Sequence, residues 1–480
     1  MNHSEHLAPR ATEGRTAGGL TELCERIWRL EKEFDLVNRR VAGIYYWPLI
    51  RYSTFNLLHQ KIASRGPNQP RFEQSIARKI FRNLSTFFTD ATSLPWGIGE
   101  TFDTILVPHP RKHIRDGQSI EIASEGVIRD PNIGRLLILD WQGSNVRYNS
   151  AAQAVVCRRS IIAAVAQFRG RIFVPRYFSQ CSEEYARLNL IFNREVGTDF
   201  PISAMSLARY ISVFAEARSL IRVIFKSSGA KRLFVVNGYG EWPYIAAARD
   251  LGIQSLELQH GLISRYHLGY SYPGRPNVHY TADKLLLFGK FWADNVDLPG
   301  GMTAHVIGSH NLLHHRGKQI GRVPRRVVVL SQGAIGVLLF DEAVRAASLA
   351  KDWHFIFRPH PGDQIEDFRT RLAKMGASAP TNFIITGHEN VYKLLASADV
   401  QLGVYSTSLF EGMALGARTI ILALPGWENA ARSIELGDAV VAQNATDIAA
   451  LLAFAPVTRD PEKYYCSPVS SIVEKLDLHD

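Results

Sequence analysis

Cysteine is scarce in this chain of 480 residues. Its four cysteines lie far apart, and no two of them form a C-x-x-C pair. A disulfide scaffold, a zinc ribbon and a redox motif all need closely spaced or numerous cysteines, so none of these is expected. The cysteine content therefore predicts a protein of a reducing compartment, and we expect a cytoplasmic one. The cysteines are Cys24, Cys157, Cys181 and Cys466.

Long hydrophobic runs are also missing. No stretch of about 18 apolar residues occurs, and the most apolar segment, residues 151–168, is interrupted by Arg158 and Arg159. A membrane-spanning helix is therefore not expected. Residues 1–19 are polar and lack the apolar core of a signal peptide, so we interpret them as a disordered lead-in.

Acidic residues are nearly absent between residues 36 and 84. This interval holds nine lysines or arginines against the single acid Glu73, a net charge of +8. It also contains an aromatic and aliphatic run at residues 44–50. Such a mixture suits the headgroup layer of an anionic membrane, but a helical subdomain with inward-facing aromatics has the same composition. Both interpretations stay open, and nucleic acid is not expected because no recognition motif accompanies the charge.

The remaining composition is that of a globular protein. Hydrophobic residues make up 46% of the chain and charged residues 21%, and the length favours two or three domains. Residues 20–98 are interpreted as a helical annex. Within it, apolar spacing predicts a helix over residues 20–41, a linker at residues 65–70 and a second helix from residue 72 to residue 88.

Strand and helix patterns alternate from residue 102 onward, which predicts parallel βαβ units and a doubly wound sheet. We expect a first Rossmann-like domain over residues 99–315. Its predicted helices include residues 183–194, 204–226 and 242–251. Its predicted strands are residues 104–107, 136–139, 171–174, 233–236, 255–258 and 284–288.

A second series of strands follows a predicted hinge at residues 316–324. It indicates a second Rossmann-like domain over residues 325–455, and residues 456–480 are expected to pack back across the hinge. The predicted fold class is α/β: two doubly wound domains facing a cleft, with an N-terminal helical annex. The second series of predicted strands is residues 327–330, 355–357, 383–385, 400–403, 419–422 and 439–442.

Two loops of the second domain follow predicted strands and are expected to face the cleft. Ser331 and Gln332 lie in a small-residue loop where backbone N–H groups can approach a phosphate, although a tight βα turn uses the same residues. Arg358 can bind a phosphate through two hydrogen bonds, and the prolines on both sides of His360 aim its imidazole.

A third segment, Tyr405-Ser406-Thr407-Ser408, ends an apolar strand at a predicted helix start. Side-chain oxygens and free backbone N–H groups meet there, which suits an anion. Glu411, one turn later, can accept hydrogen bonds from both hydroxyls of a ribose. The S-x-x-E spacing from Ser408 to Glu411 also fits a capping box, and the two roles are compatible.

The first domain presents candidates for deprotonating an acceptor hydroxyl. Glu241 and His260 both follow apolar strands, and a carboxylate or an imidazole suits that task. Structural roles stay open for both: a charge at a helix start for Glu241 and a loop hydrogen bond for His260. Tyr239 and Gln259 lie beside them and are expected to contact the same substrate.

His109 and Arg111 follow the first strand and are further candidates for an anionic acceptor, although a solvated basic loop has the same residues. No metal site is predicted, because one cluster of histidines has loop-like spacing and no nearby carboxylate. Those histidines are His305, His310, His314 and His315.

Three short motifs together resemble a known family. They are Gln259-His260-Gly261, Arg358-Pro359-His360-Pro361 and residues 404–412. In this combination the chain is similar to bacterial surface-polysaccharide glycosyltransferases of the GT-B fold, in particular capsule and O-antigen enzymes with QHG and HP motifs. Several of those enzymes transfer Kdo from CMP-Kdo. A looser resemblance extends to sialyltransferases and to CDP-glycerol glycerophosphotransferases.

The resemblance implies a nucleotide-sugar donor on the second domain, with His360 and residues 406–408 near its phosphate and Glu411 near its ribose. It places the acceptor on the first domain near Gln259 and His260. His260 or Glu241 is expected to act as base, and His360 with Arg358 to stabilise the leaving group. Neither a metal nor a cofactor is implied, since the nucleotide sugar is itself the substrate.

The expected function is transfer of a sugar to a lipid-linked or saccharide acceptor in the synthesis of capsule, O-antigen or lipopolysaccharide. A CMP-linked donor such as CMP-Kdo is slightly favoured. We expect a cytoplasmic protein that binds the inner face of the inner membrane peripherally through residues 36–84. A sugar-nucleotide epimerase, a CDP-glycerol-type phosphotransferase and a non-catalytic glycan assembly protein remain alternatives.

Overall fold

The computed structural model describes residues 19–63, 100–115, 118–141, 148, 153–316, 321–387 and 389–478. The linker expected at residues 65–70 and the helix expected over residues 72–88 lie outside this part of the chain. Among the residues within it, no helix has both the length and the hydropathy to cross a membrane.

The described elements alternate between strands and helices over most of the chain. The strands are β1 Arg40–Val41, β2 Ile44–Tyr45, β3 Thr104–Val107, β4 His113–Arg115, β5 Gln118–Ile120, β6 Leu136–Asp140, β7 Ala154–Arg158, β8 Arg232–Val236, β9 Gln254–Leu258, β10 Lys284–Leu287, β11 Thr303–Val306, β12 Arg326–Leu330, β13 His354–Arg358, β14 Phe383–Ile385, β15 Val400–Gly403, β16 Arg418–Leu422 and β17 Val440–Ala442. The α-helices are α1 Gly19–Glu33, α2 Tyr46–Ala63, α3 Glu125–Arg129, α4 Arg159–Phe173, α5 Pro175–Glu195, α6 Ala204–Ser228, α7 Trp242–Asp250, α8 Lys290–Asp294, α9 His310–Arg316, α10 Gly336–Leu349, α11 Ile365–Ala373, α12 Val391–Ser397, α13 Thr407–Ala414, α14 Ala431–Glu435, α15 Ala445–Leu451 and α16 Ile472–Lys475. Short 3₁₀ turns lie at Leu36–Asn38, Gly238–Gly240, Gly333–Ile335, Gly376–Ser378, Trp427–Ala430 and Pro461–Lys463.

The first domain is built on a parallel sheet with the strand order β11-β10-β9-β8-β3-β6-β7. Every residue of β3 and β6 is buried, as in strands that helices cover on both faces. Helices α4 and α6 cross closely, and Ser212 donates its hydroxyl to the Gly170 carbonyl at 2.8 Å. The apolar side chains on the two faces of this sheet belong to two separate clusters, and one of these clusters continues into the second domain.

The second domain has its own parallel sheet, with the order β14-β13-β12-β15-β16-β17. Its strand order reverses between β12 and β15, and that of the first sheet reverses between β3 and β8. Loops that leave the carboxyl ends of such strand pairs line a crevice, where open α/β sheets bind ligands. The predicted fold class, two doubly wound α/β domains, is confirmed.

One predicted strand of the first domain is wrong. Residues 171–173 are the end of α4 and Val174 joins it to α5, because Ile162, Ala166 and Gly170 continue a buried face at helical spacing. The strand in this region is β7, Ala154–Arg158, which lies in the apolar segment at residues 151–168. Its five residues run directly into a helix, so no turn signal separates the two.

The annex is a helix pair packed on the first domain. Helix α1 ends at Glu33 and does not continue to residue 41, because Asp35 has a left-handed backbone with φ 48° and a 3₁₀ turn and β1 follow. The buried apolar face of α1 comprises Leu20, Leu23, Cys24, Ile27 and Leu30.

The aromatic residues of the basic segment face inward where the structure describes them. Tyr46 and Trp47 are completely buried, and Phe55 is nearly so. Residues 44–58 therefore serve the packing of a helical subdomain. Contact with a membrane through other parts of residues 36–84 stays a prediction, since residues 64–84 lie outside the described part. Two arginines of this segment form ion pairs, Arg39 with Glu184 and Arg51 with Glu31.

The carboxyl-terminal residues return to the first domain. Trp292 donates its indole N–H to the Tyr464 carbonyl at 2.7 Å. Ser471 donates its hydroxyl to Asp130 at 2.8 Å, and the backbone N–H of Ile472 donates to the same carboxylate at 2.7 Å. Helix α16 then packs into the apolar cluster on the first sheet.

Candidate functional site

Three rings meet at the carboxyl ends of the first-domain strands. His109 follows β3, Tyr239 follows β8 and His260 follows β9. The ring centroids of His109 and His260 are 5.5 Å apart, and those of Tyr239 and His260 are 6.0 Å apart. Since the strand order reverses between β3 and β8, the fold brings three predicted residues to the crevice where open α/β sheets commonly bind ligands.

Burial keeps the two imidazoles of this group neutral. It lowers the pKa of His260 to about 3 and the pKa of His109 to about 4, and the nearby Arg111 cation contributes to both shifts. Nδ1 of His260 is buried and has no hydrogen-bond partner among the residues that the structure describes. A neutral imidazole with an unpaired ring nitrogen is the form that a general base requires.

Glu241 is the counter-ion of a buried arginine. Arg159 donates to its carboxylate at 2.7 Å and to the Pro108 carbonyl at 3.3 Å. The Arg159 side chain is 1% exposed and that of Glu241 is 15% exposed. Burial raises the pKa of the Glu241 carboxyl, and Arg159 opposes the rise. Because of this ion pair, Glu241 is less suited than His260 to act as the base. The sequence did not indicate the pair, since Arg159 and Glu241 are 82 positions apart.

Gln259 braces the QHG loop and does not face the cleft. Its amide donates to the Gly261 carbonyl at 2.9 Å and accepts the Phe288 backbone N–H at 2.9 Å. The residue is 1% exposed. The predicted contact between Gln259 and an acceptor is therefore wrong, because the side chain is buried and both its amide nitrogen and its amide oxygen already form hydrogen bonds.

The second-domain half of the site begins with helix α13. Ser406 is its N-cap and accepts the Ser408 backbone N–H at 3.4 Å. The predicted capping box from Ser408 to Glu411 is wrong, because the helix begins two residues earlier than that spacing requires. Thr407 and Ser408 are partly exposed in the first turn, at the positive end of the helix dipole, and the Leu409 backbone N–H donates to the Ser406 carbonyl at 3.0 Å.

Gln332 and Tyr405 meet where the second sheet reverses its strand order. The backbone N–H of Tyr405 donates to the side-chain oxygen of Gln332 at 3.3 Å, which joins the loop after β12 to the loop after β15. The Tyr405 ring lies against Gly426, where a Cβ would come within 2.3 Å of the ring. A side chain at residue 426 would therefore displace Tyr405 from the crevice.

The HP loop is held by Asp363. Its carboxylate accepts the Ser331 hydroxyl at 3.0 Å and the His360 backbone N–H at 2.9 Å. Ser331 is 5% exposed, so its side chain braces the loop, and its expected contact with a donor is corrected. Nδ1 of His360 accepts the Gly362 N–H at 3.1 Å, which leaves the Nε2–H free to donate.

Arg358 and Glu411, the other two polar candidates of the second domain, each already form a hydrogen bond. Arg358 donates to the Gly387 carbonyl at 2.7 Å, which uses one of its five N–H groups. The Tyr392 hydroxyl donates to Glu411 at 3.0 Å and accepts from Asn311 at 2.7 Å. Burial raises the pKa of Glu411 to about 7. Neither Tyr392 nor Asn311 was predicted as a site residue, because a tyrosine at helical spacing is usually part of the hydrophobic core.

The two halves of the site touch across the cleft. A Cβ on Gly261 would lie 3.4 Å from the Thr407 hydroxyl, so the QHG loop contacts the start of α13 directly. Burial lowers the pKa of His360, Asp363 opposes this, and Arg111 of the first domain lowers it further. Arg111 thus lies near imidazoles of both domains. It is exposed and has no carboxylate partner in the described part of the chain.

The annex adds an aromatic side chain that the sequence did not single out. The Tyr52 ring stacks on His267 at 5.2 Å and lies 4.9 Å from the Tyr239 ring. Burial raises the pKa of Tyr405, and the proximity of Tyr52 adds to the rise, so Tyr52 is close to both domains. The loop between β9 and β10, which carries His267, spans residues 259–283, and loops of this length are commonly functional.

Among the described residues, no group of three or more His, Cys, Asp or Glu side chains is placed to hold a metal ion. No protein-family model and no curated protein matches the chain.

Solved structures match the chain at low identity. The glycosyltransferase SnogD from Streptomyces nogalater has 12% identity and a TM-score of 0.46, covering 79% of this chain and 100% of its own. The UDP-GlcNAc 2-epimerase from Methanocaldococcus jannaschii has 11% identity and a TM-score of 0.42, with the same coverages. A glycotransferase of kitacinnamycin has 16% identity and a TM-score of 0.42, covering 76% of this chain and 92% of its own. The fold is assigned from the chain's own two sheets.

Proposed function

We propose that the chain is a glycosyltransferase with a nucleotide-activated sugar on the second domain and an acceptor on the first. One observation carries the proposal: His260 and His109 face the start of α13 and the His360 loop across one cleft. The exposed cation Arg111 lies between the two sides. A nucleotide phosphate supplies the anion that this arrangement suits, and an acceptor hydroxyl supplies the proton that His260 can take.

The proposed reaction uses both faces at once. His260 takes the proton of the acceptor hydroxyl while the hydroxyl oxygen bonds to the anomeric carbon. The bond from that carbon to the phosphate oxygen breaks, and the nucleotide leaves with additional negative charge. The N–H groups at the start of α13, Arg111 and the Nε2–H of His360 stabilise this charge without a metal. The same anion raises the low pKa of the nearby imidazoles, which strengthens His260 as a base.

Glu411 is proposed to bind the ribose. Its carboxylate already accepts from Tyr392, and its second oxygen can accept from a ribose hydroxyl. Because burial raises its pKa to about 7, hydroxyl donors that favour the ionised form would lower that pKa on binding.

The finer assignments rest on the resemblance of the QHG and HP motifs. They are a CMP-linked donor such as CMP-Kdo, a lipid-linked or saccharide acceptor, and a place in surface-polysaccharide synthesis at the cytoplasmic face of the inner membrane. The HP motif is shared with CDP-glycerol-type phosphotransferases, so the donor class needs a direct test.

A thermal-shift screen with CMP, CDP, UDP and GDP tests the donor assignment. A nucleotide at about 100 times its Kd stabilises the folded state by about 2.7 kcal/mol, which is readily measured. We expect one nucleotide to stabilise the wild type and to stabilise His360→Ala less. No stabilisation by any of the four would refute a nucleotide site.

Product analysis with the matching nucleotide sugar then separates the alternatives. Transfer that requires an added acceptor supports the proposal. Conversion of the nucleotide sugar without an acceptor would identify an epimerase, and binding without any turnover would identify an assembly protein.

A further inference from the structure

Helix α4 carries large apolar side chains on a solvent-facing stripe. Phe168 is 66% exposed and Ile172, one turn later, is 55% exposed. Phe178, near the start of α5, is 40% exposed. Scattered apolar residues are normal on a surface, but Phe168 and Ile172 are one turn apart on the same face of α4, and Phe178 follows on the next helix. We name this surface the Phe168 face.

The charged residues of α4, the helix that carries Phe168 and Ile172, are all basic. The sequence of α4 contains three arginines and no acidic residue. Arg159 pairs with Glu241 and Arg169 pairs with Glu216, so these two are neutralised. The exposed pair Arg171 and Arg176 has no carboxylate partner among the residues that the structure describes. Arg171 is next to Ile172 in the chain, and the Arg176 guanidinium lies 4.0 Å from the centre of the Phe173 ring.

The Phe168 face lies on the domain that holds the proposed acceptor site. Helix α4 starts at Arg159, which bonds to Glu241 and to the loop after β3 at the edge of the cleft. At 1.5 Å per residue, Phe168 is about 14 Å along the helix from that edge. A surface that contacts this face is therefore next to the acceptor side of the cleft.

We propose that the Phe168 face docks the protein on an anionic membrane surface. Exposed aromatic and branched side chains enter the boundary between headgroups and acyl chains, while Arg171 and Arg176 meet the anionic headgroups. A second copy of the chain suits this face less well, because a two-fold contact would bring the same unpaired arginines of both copies together. The inference rests on the proposed function only in that a lipid-linked acceptor would reach the cleft from this side.

Flotation with vesicles tests the proposal. The wild type is expected to bind vesicles of phosphatidylglycerol and phosphatidylethanolamine, to bind phosphatidylcholine vesicles weakly, and to be released from the anionic vesicles by about 0.5 M salt. The variant Phe168→Ser/Ile172→Ser should lose binding. Removal of each arginine in Arg171→Gln and Arg176→Gln should weaken it by roughly five-fold.

Matched controls come from apolar residues exposed elsewhere. Leu190 is 74% exposed on α5 and Phe454 is 79% exposed on the second domain, and Leu190→Ser and Phe454→Ser should bind like the wild type. Vesicle binding that survives in Phe168→Ser/Ile172→Ser would overturn the proposal and return the membrane contact to residues 36–84. A dimer of the wild type that becomes a monomer in this variant would overturn it in favour of self-association. Nucleotide stabilisation should be unchanged in these variants, so failure of vesicle binding and failure of the proposed function are separate results.

Discussion

The buried ion pair of Glu31 and Arg51 is where the annex is attached to the candidate site. Glu31 is 7% exposed and Arg51 is 1% exposed. Arg51 also donates to the Ser271 carbonyl at 2.9 Å and to the Leu268 carbonyl, in the loop that follows the QHG motif. Trp47 donates its indole N–H to Glu31 at 2.7 Å. Loss of this cation should therefore destabilise both the annex and that loop.

Replacement of Arg51 by Met keeps an unbranched apolar stem and removes the guanidinium with its charge and its N–H donors. Glu31 then becomes a buried carboxylate without a counter-ion, and two backbone carbonyls lose a donor. Removing one partner of a buried pair costs about 3–5 kcal/mol, and we expect the free energy of unfolding to fall by that amount. In Arg51→Met/Glu31→Leu the isolated carboxylate is gone, so the double variant should recover about 2 kcal/mol relative to Arg51→Met.

Urea unfolding followed by tryptophan fluorescence measures these changes, with Glu31→Leu completing the double-mutant cycle. The control is Arg26→Gln, since Arg26 pairs with Glu22 on the same helix with side chains 40% and 56% exposed. Its expected cost is at most about 1 kcal/mol. The reasoning is refuted if Arg51→Met loses no more stability than Arg26→Gln, or if the losses of the two single variants simply add in the double variant.

Four further predictions concern the site itself. His360→Ala should reduce sugar transfer by roughly 10²–10³-fold through loss of one donor to the leaving phosphate, with an unchanged melting temperature, and His360→Gln should restore part of the rate. Arg111→Gln should reduce the thermal shift that a nucleotide produces at low salt. Arg369→Gln should leave this shift unchanged, because Arg369 forms an exposed ion pair with Glu366 on α11. Tyr52→Ala should raise the KM for the acceptor and leave the KM for the donor unchanged, with Tyr52→Phe close to the wild type; an equal change in both constants would contradict a place on the acceptor side. Glu257, a buried residue of β9, accepts the Gly238 backbone N–H and the Tyr270 hydroxyl, both at 2.7 Å, beneath the loop that carries Tyr239. Burial raises the pKa of Glu257 to about 7 from a usual value of 4.5, so its contribution to stability is complete below pH 4.5 and is lost as the pH rises through about 7. This loss is about 3 kcal/mol and should be absent from Glu257→Gln, as urea unfolding at several pH values would show.

Much of the fold was predictable because it follows from local patterns. Apolar runs such as residues 383–385 and 400–403 coincide with β14 and β15, since short apolar strands between helices leave a clear alternation in the sequence. The prediction failed at residues 171–174, where an apolar run at the end of a helix looks like a strand. It also failed at Ser408, because a two-residue difference in the start of a helix changes which hydroxyl is the cap.

The candidate site was only partly accessible from the sequence. His109, His260 and His360 follow strands that are recognisable one at a time, and parallel sheets place the ends of their strands on a common edge. The pairing of Glu241 with Arg159 and the bonding of both ends of the Gln259 amide depend on neighbours from other strands. Such contacts leave no local signal.

The sequence by itself determined the two-domain α/β architecture, the motifs at the strand ends and the unusual positive charge of residues 36–84, because each is a matter of spacing and composition. Tertiary structure alone decided which of those side chains are available for chemistry. In the folded chain Ser331 and Gln259 form hydrogen bonds that stabilise loops. Arg111 is exposed between the two domains, and Tyr52 of the annex lies at the cleft. The physical reason is that availability depends on burial and on hydrogen-bond partners, and both are set by residues that are distant in the chain.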